Sequence, residues 1–221
     1  MTRQLTAALM GAAAFALASS AGAQQRPAPA FAGSPRGLLV GAHVVAADIS
    51  TDEDGETFSD NGFGLGLQLG YAFRNNLALF VDATGTRMMP DDDAAESYNL
   101  AHFDLGLRYH FANAVRRAVP YVELAVSGRA ATQEGTFEDP DTGDEVDAEL
   151  ELSGTAITFG GGLQYFMSPR VAFNAGLRFS TGSFSNVKLK VDDTSIEFDD
   201  ADIDATTTRL NVGLVWYPRA R

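Results

Sequence analysis

His102 stands two residues from Asp104, and an imidazole beside a carboxylate is the pairing that orients a general base. A serine or an activated water would complete a nucleophilic site, but the spacing specifies no serine near the pair. The other histidines are His43 and His110. A second chemistry is charge pairing. Asp82, Asp104 and Glu123, together with Arg108, Arg129, Arg178 and Arg209, all fall on the polar side of alternating segments. Buried away from water they must pair, because an unpaired buried charge costs several kcal/mol. A third chemistry is hard-cation binding by the acidic clusters 52–56 (DEDGE) and 139–145 (DPDTGDE). Neither has the spacing of a calcium-binding EF-hand loop. They read as solvated surface, and no cofactor or metal is expected.

The elements that carry these residues show a period of two. In Asn99–Phe111, Ala101, Phe103, Leu105, Leu107, Tyr109 and Phe111 form an apolar face. Leu100, His102, Asp104, Gly106, Arg108 and His110 form the other. Such alternation is a strand whose two faces see different solvents. Its length exceeds the roughly five or six residues of a usual strand. It suits the tilted strand of about 9–11 residues that crosses a bilayer. Seven further segments follow the same rule: Gly37–Ala47, Gly62–Phe73, Leu77–Arg87, Val119–Ala131, one ending Thr158–Met167, Val171–Gly182 and Thr206–Tyr217.

The connections alternate too. Those after the second, fourth and sixth segments are short; those after the first, third, fifth and seventh are long, at 48–61, 88–98, 132–150 and 183–205. The long ones hold 25 of the 29 acidic residues, and Asp82, Asp104, Glu123 and Glu151 are the remainder. Short turns at one end and long loops at the other describe an up-and-down membrane barrel, short end periplasmic. The loop 183–205 itself alternates at Val187–Val191 and Ile196–Phe198. That predicts a hairpin projecting beyond the membrane, with 192–195 as its turn. A ten-stranded barrel would instead turn Lys188, Lys190 or their neighbours toward lipid or a filled lumen.

Residues 1–23 read as a secretory signal peptide: Arg3, an apolar run from Leu5 to Leu17, and an Ala-Gly-Ala cleavage site. Residues 24–36 read as a flexible leader, 37–217 as the barrel and 218–221 as a short basic tail. There is no cysteine, and the net charge is −13. Thiol chemistry is excluded, and nucleic acid is not an expected partner.

Alternation alone fits a soluble lipocalin-like barrel as well as a membrane one. Three features point the apolar face at lipid. Glycines collect on the polar face, where a narrow lumen needs small residues. Four to six large apolar residues per strand would overfill that lumen. Aromatics gather at strand ends on the apolar face, and Tyr71, Phe73, Tyr109, Phe111, Tyr165 and Trp216 suit an interfacial girdle. The lumen then holds the seven charged residues named above, with Gln68, Tyr121, Gln164, Asn174 and Asn211.

Pro120-Tyr121-Val122-Glu123, the run Gly160–Phe166, Asn174–Phe179 and the closing Leu210–Tyr217 resemble the small outer-membrane β-barrel family that includes the OmpA membrane domain and the OmpX-type proteins. The likeness covers about 37–217. The tail Pro218–Arg221 departs from the family's usual terminal aromatic. Ala125 and Ser127 stand where glycines are common. The resemblance implies an all-β, eight-stranded antiparallel up-and-down transmembrane barrel in the cell outer membrane, with long acidic extracellular loops and short periplasmic turns. It also implies a monomer among outer-membrane lipids and lipopolysaccharide, inserted by the barrel-assembly machinery. The expected role is structural, adhesive or surface-interacting, around a charge-plugged lumen and with an extracellular ligand or protein as partner. A narrow porin-like channel is the second reading. A lipid A-modifying enzyme is the third, and the chain is expected not to be an enzyme.

Overall fold

A computed structural model of the chain describes residues 35–53, 56–73, 76–90, 97–112, 117–138, 145–191, 194–198 and 203–218. The signal peptide, nearly all of the leader, the acidic cluster at 139–144 and residues 219–221 of the tail lie outside them. Among the described residues nine antiparallel strands are formed: β1 (Gly37–Glu53), β2 (Glu56–Ala72), β3 (Leu77–Met89), β4 (Tyr98–His110), β5 (Ala118–Glu138), β6 (Glu145–Phe166), β7 (Val171–Val191), β8 (Thr194–Phe198) and β9 (Ile203–Trp216). β1 through β7 and β9 close a ring of eight, with β9 seated between β7 and β1. β8 pairs with β7 alone, outside that ring. No helix among the described residues is long and apolar enough to cross a membrane, which leaves crossing by strands open.

Burial is inverted relative to a water-soluble protein. Leu65 and Leu67 are 70% and 68% exposed, whereas Asp82, Asp104 and Arg209 are 0% exposed. β4 alternates through its whole length, with His102, Asp104, Arg108 and His110 turned inward and Phe103, Leu105 and Leu107 outward. An outward apolar face of this extent is stable only against hydrocarbon. A closed ring is also the one sheet that leaves no unpaired edge there.

The strands run further than their hydrophobic pattern suggests. β5 and β6 pair from Ala118↔Tyr165 up to Glu138↔Glu145, across most of the stretch expected to be a loop. Ring pairing ends lower, at Asn99↔Thr132 on one side and Phe184↔Ile203 on the other. Above it, β5, β6, β7 and β8 continue as a four-stranded sheet, by about 20 Å at roughly 3.4 Å per residue. High acidic content reads as a loop in sequence, but the backbone ladder between β5 and β6 continues through it. One cross-strand ion pair lies on it: Lys190 Nζ stands 2.8 Å from Glu149 Oε2, which raises the lysine's pKa from its ordinary value. The hairpin expected at 187–198 is present with a tighter turn. Val191 pairs with Thr194, so Thr194 and Ser195 belong to β8 and not to the turn.

The lumen is layered. Leu39, Ala72, Ala78, Val119, Phe166 and Tyr217 belong to an apolar cluster at the short-turn end. Val45, Ile49, Met88, Leu100 and Phe184 belong to another toward the long-loop end. Asp82, Asp104, Arg108, Glu123, Arg178 and Arg209 occupy the level between these two.

Candidate functional site: a charged belt across the lumen

Asp82 on β3 and Asp104 on β4 are partners in register. So are Arg178 on β7 and Arg209 on β9. Each pair alone sets like charges side by side, which destabilises a sheet. In the ring, β3 lies four strands from β7 in either direction, and β4 stands in the same relation to β9. The acidic pair therefore faces the basic pair across the full diameter of the lumen.

The arginines close that distance. Arg178 Nη1 lies 3.0 Å from Asp82 Oδ1 and 3.3 Å from Asp104 Oδ2. Its Nη2 donates to Asp82 Oδ2 at 3.2 Å, and its Nε to Glu123 Oε1 at 2.6 Å. Arg209 Nη2 donates to Asp104 Oδ1 at 3.1 Å and to Ser180 Oγ at 3.0 Å. Arg108 holds its register neighbour Glu123 through Nε at 2.8 Å and Nη2 at 2.7 Å, and Nη1 donates to Gln68 Oε1 at 3.0 Å. Gln68 Nε2 and Thr84 Oγ1 each donate to Asp82 at 3.0 Å. His43 Nε2 stands 3.6 Å from Asp82 Oδ1. Three guanidiniums thus meet three carboxylates in one network. In a dry interior such pairing offsets the desolvation cost only while every partner stays in place.

Local sequence explains the geometry. The Arg108 guanidinium carbon lies 4.2 Å from the Tyr121 ring centre and 5.0 Å from that of Phe80. These aromatics stand on faces that are otherwise polar, the one sequence signal for such a platform. The Tyr121 hydroxyl in turn fills the space where a Cβ at Gly162 or Gly176 would stand. Those glycines leave room for a large lumen side chain.

The structure gathers Asp82, Asp104, Arg108, Glu123, Arg178 and Arg209, but not Arg129. Arg129 Nη1 donates to the Ala205 carbonyl at 3.0 Å, and its guanidinium carbon lies 4.4 Å from the Phe184 ring centre. It sits one step nearer the outer mouth, two residues beyond Ser127 on β5's lumen face, past the reach of the three carboxylates. His102 faces the lumen beside the belt, yet neither of its ring nitrogens has a hydrogen-bond partner. Both Asp104 oxygens are taken by arginines. An oriented base–carboxylate dyad is therefore not formed there.

Tyr71, Phe73, Tyr109, Phe111, Tyr165 and Trp216 all face outward near the short-turn end. Tyr71 meets Phe73 edge-on at 5.3 Å, and Tyr109 meets Phe111 at 5.2 Å. Among the described residues no three His, Asp or Glu side chains are grouped to hold a metal. Sequence reading missed the two apolar layers and the contribution of Ser180. The layer at the short-turn end is built from strand ends, where alternation is least regular.

A closed antiparallel ring, apolar outside and charged within, defines an integral membrane barrel. The chain belongs to the outer membrane protein β-barrel domain family, whose model matches residues 10–217. It is accordingly an outer-membrane protein. None of the curated proteins compared with it matches. Neisserial surface protein A superposes with a TM-score of 0.53 at 18% identity, covering 81% of this chain and 96% of that one. OprG from Pseudomonas aeruginosa gives 0.53 at 13%, covering 83% and 97%. AlkL, solved in DMPC bilayers, gives 0.52 at 14%, covering 87% and 95%. At these identities the likeness is one of fold.

Proposed function

We propose that this barrel works from its cell-surface end, as a structural or adhesive interaction protein whose lumen is held shut. The observation that carries the reading is the four-stranded sheet of β5–β8, which continues past ring closure and leaves β8 with an edge that no other strand pairs among the described residues. Such an edge accepts an extended polypeptide by strand addition. The charged belt supports the other half of the reading, since its two diametric contacts occupy the bore. In this reading the chain is a monomer surrounded by outer-membrane lipid and lipopolysaccharide and inserted by the barrel-assembly machinery. It carries no catalytic site.

Cells displaying the full chain should be compared with cells displaying a form cut back from residue 187 to 198. The readouts are self-aggregation and attachment to immobilised polypeptide. The reading predicts attachment that is lost on truncation while heat-modifiable gel migration is kept. Equal attachment by both forms contradicts it. A narrow pore is the second reading, favoured by the polar side chains, Gln68, Asn174 and Asn211, that stand with the belt on the lumen wall.

A further inference from the structure

Above the charged belt the lumen changes character. Ile49, Ala131, Leu152, Phe184 and Ile203 line a cavity of about 180 Å³ toward the outer mouth. Ile49 and Phe184 are buried members of the outer apolar layer, and the other three pack against it. The size is that of a single aromatic ring, since an apolar protein cavity of about 150 Å³ takes up benzene. Polar residues line it as well, Thr51 and Thr132 among them. The Tyr98 hydroxyl on β4 donates to Asp60 on β2 at 2.8 Å, and both residues border the cavity with Gln133. Phe184 separates the cavity from the Arg129 guanidinium, stacked 4.4 Å from its ring centre. Further down β7, the contacts of Arg178 cross the lumen. The cavity is thus a blind pocket facing the cell exterior, and none of its residues belongs to the belt.

We propose that this pocket binds a small uncharged hydrophobe, a single aromatic ring. An anion would find no cationic side chain among the described residues of the lining, and transferring an unpaired charge against Ile49, Leu152, Phe184 and Ile203 costs far more than the contacts return. Asp60 at the border further disfavours an anion. Phe184 and Tyr98 supply ring faces and edges for an aromatic guest. The site stands apart from the strand edge of β8, and either can fail without the other.

The test is a methyl-labelled full chain in lipid nanodiscs titrated with toluene, with benzoate as the anionic ring of matching size. Saturable shifts are expected at the methyls of Ile49, Leu152 and Ile203. Leu65 and Leu67, on the lipid face, should shift only in proportion to added toluene. Ala131→Phe fills the cavity and should weaken saturable binding at least tenfold; Ile203→Phe serves the same purpose should the first variant fail to fold. The proposal is overturned if pocket methyls respond only as the lipid-facing ones do, if the filled variant still saturates, or if benzoate binds as tightly as toluene.

Discussion

Arg178 on β7 spans the lumen to reach Asp82 on β3, 3.0 Å from Nη1 to Oδ1 between strands on opposite walls of the ring. The same guanidinium touches Asp104 and Glu123, so one side chain ties three strands to a fourth. Removing it leaves three carboxylates short of a partner inside a bore with apolar layers on either side. Arg178→Met is expected to destabilise the barrel by about 3–5 kcal/mol, the range for breaking a buried ion pair. Urea unfolding followed by heat-modifiable migration measures it.

The paired arrangement makes a sharper claim than any single deletion. Asp82→Asn and Arg178→Gln should each cost more alone than expected from the double variant, because each leaves the other's partner uncompensated. A double-mutant cycle is expected to show coupling of at least about 1 kcal/mol. Additive losses would mean that the two residues act independently.

Gly176 makes room for the Tyr121 hydroxyl across the lumen wall. Gly176→Ala should destabilise by about 1–3 kcal/mol, as overpacking does. Tyr121→Phe deletes the clashing oxygen and should restore most of that loss. Unfolding midpoints of the single and double variants decide it.

The outward face is tested by charge. Leu105→Arg, on the outward face of β4 beside the charged belt, is expected to cost about 2–4 kcal/mol for a cation on the lipid face. A change of that size would not appear if Leu105 faced water. Topology has its own check, because the chain contains no cysteine. Ser195→Cys on β8 should be labelled on intact cells by a membrane-impermeant maleimide. Ser168→Cys, in the β6–β7 turn, should stay unlabelled until the membrane is breached.

Much of this was legible in the chain itself. The alternation at Phe103, Asp104 and Leu105 announces a two-faced strand, and the connection lengths order eight of them into a meander. Asp82, Asp104, Arg178 and Arg209 are recognisable as lumen charges for the same reason. Their assembly is not legible, because it depends on the exact register between paired strands: Asp82 meets Asp104 only through the β3–β4 offset, and Arg178 meets Arg209 only through the β7–β9 offset. Arg129 carries the same local pattern as the others and still falls outside the network, since one step along a tilted strand moves a side chain to another level. The apolar layers escaped notice because Leu39, Phe166 and Tyr217 turn inward where a strand's polar face was expected. The projecting hairpin at 187–198 is legible from its alternation, whereas the continuation of β5 and β6 beside it is not, because its acidic residues look like a loop.

The central claim is that the belt closes the lumen, and planar-bilayer recording of the purified chain tests it most directly. The account predicts no steady openings for the wild-type chain. It predicts small, steady conductance once Arg178→Ala and Arg209→Ala together remove the side chains that cross the bore. Steady nanosiemens openings in the wild-type protein would contradict it.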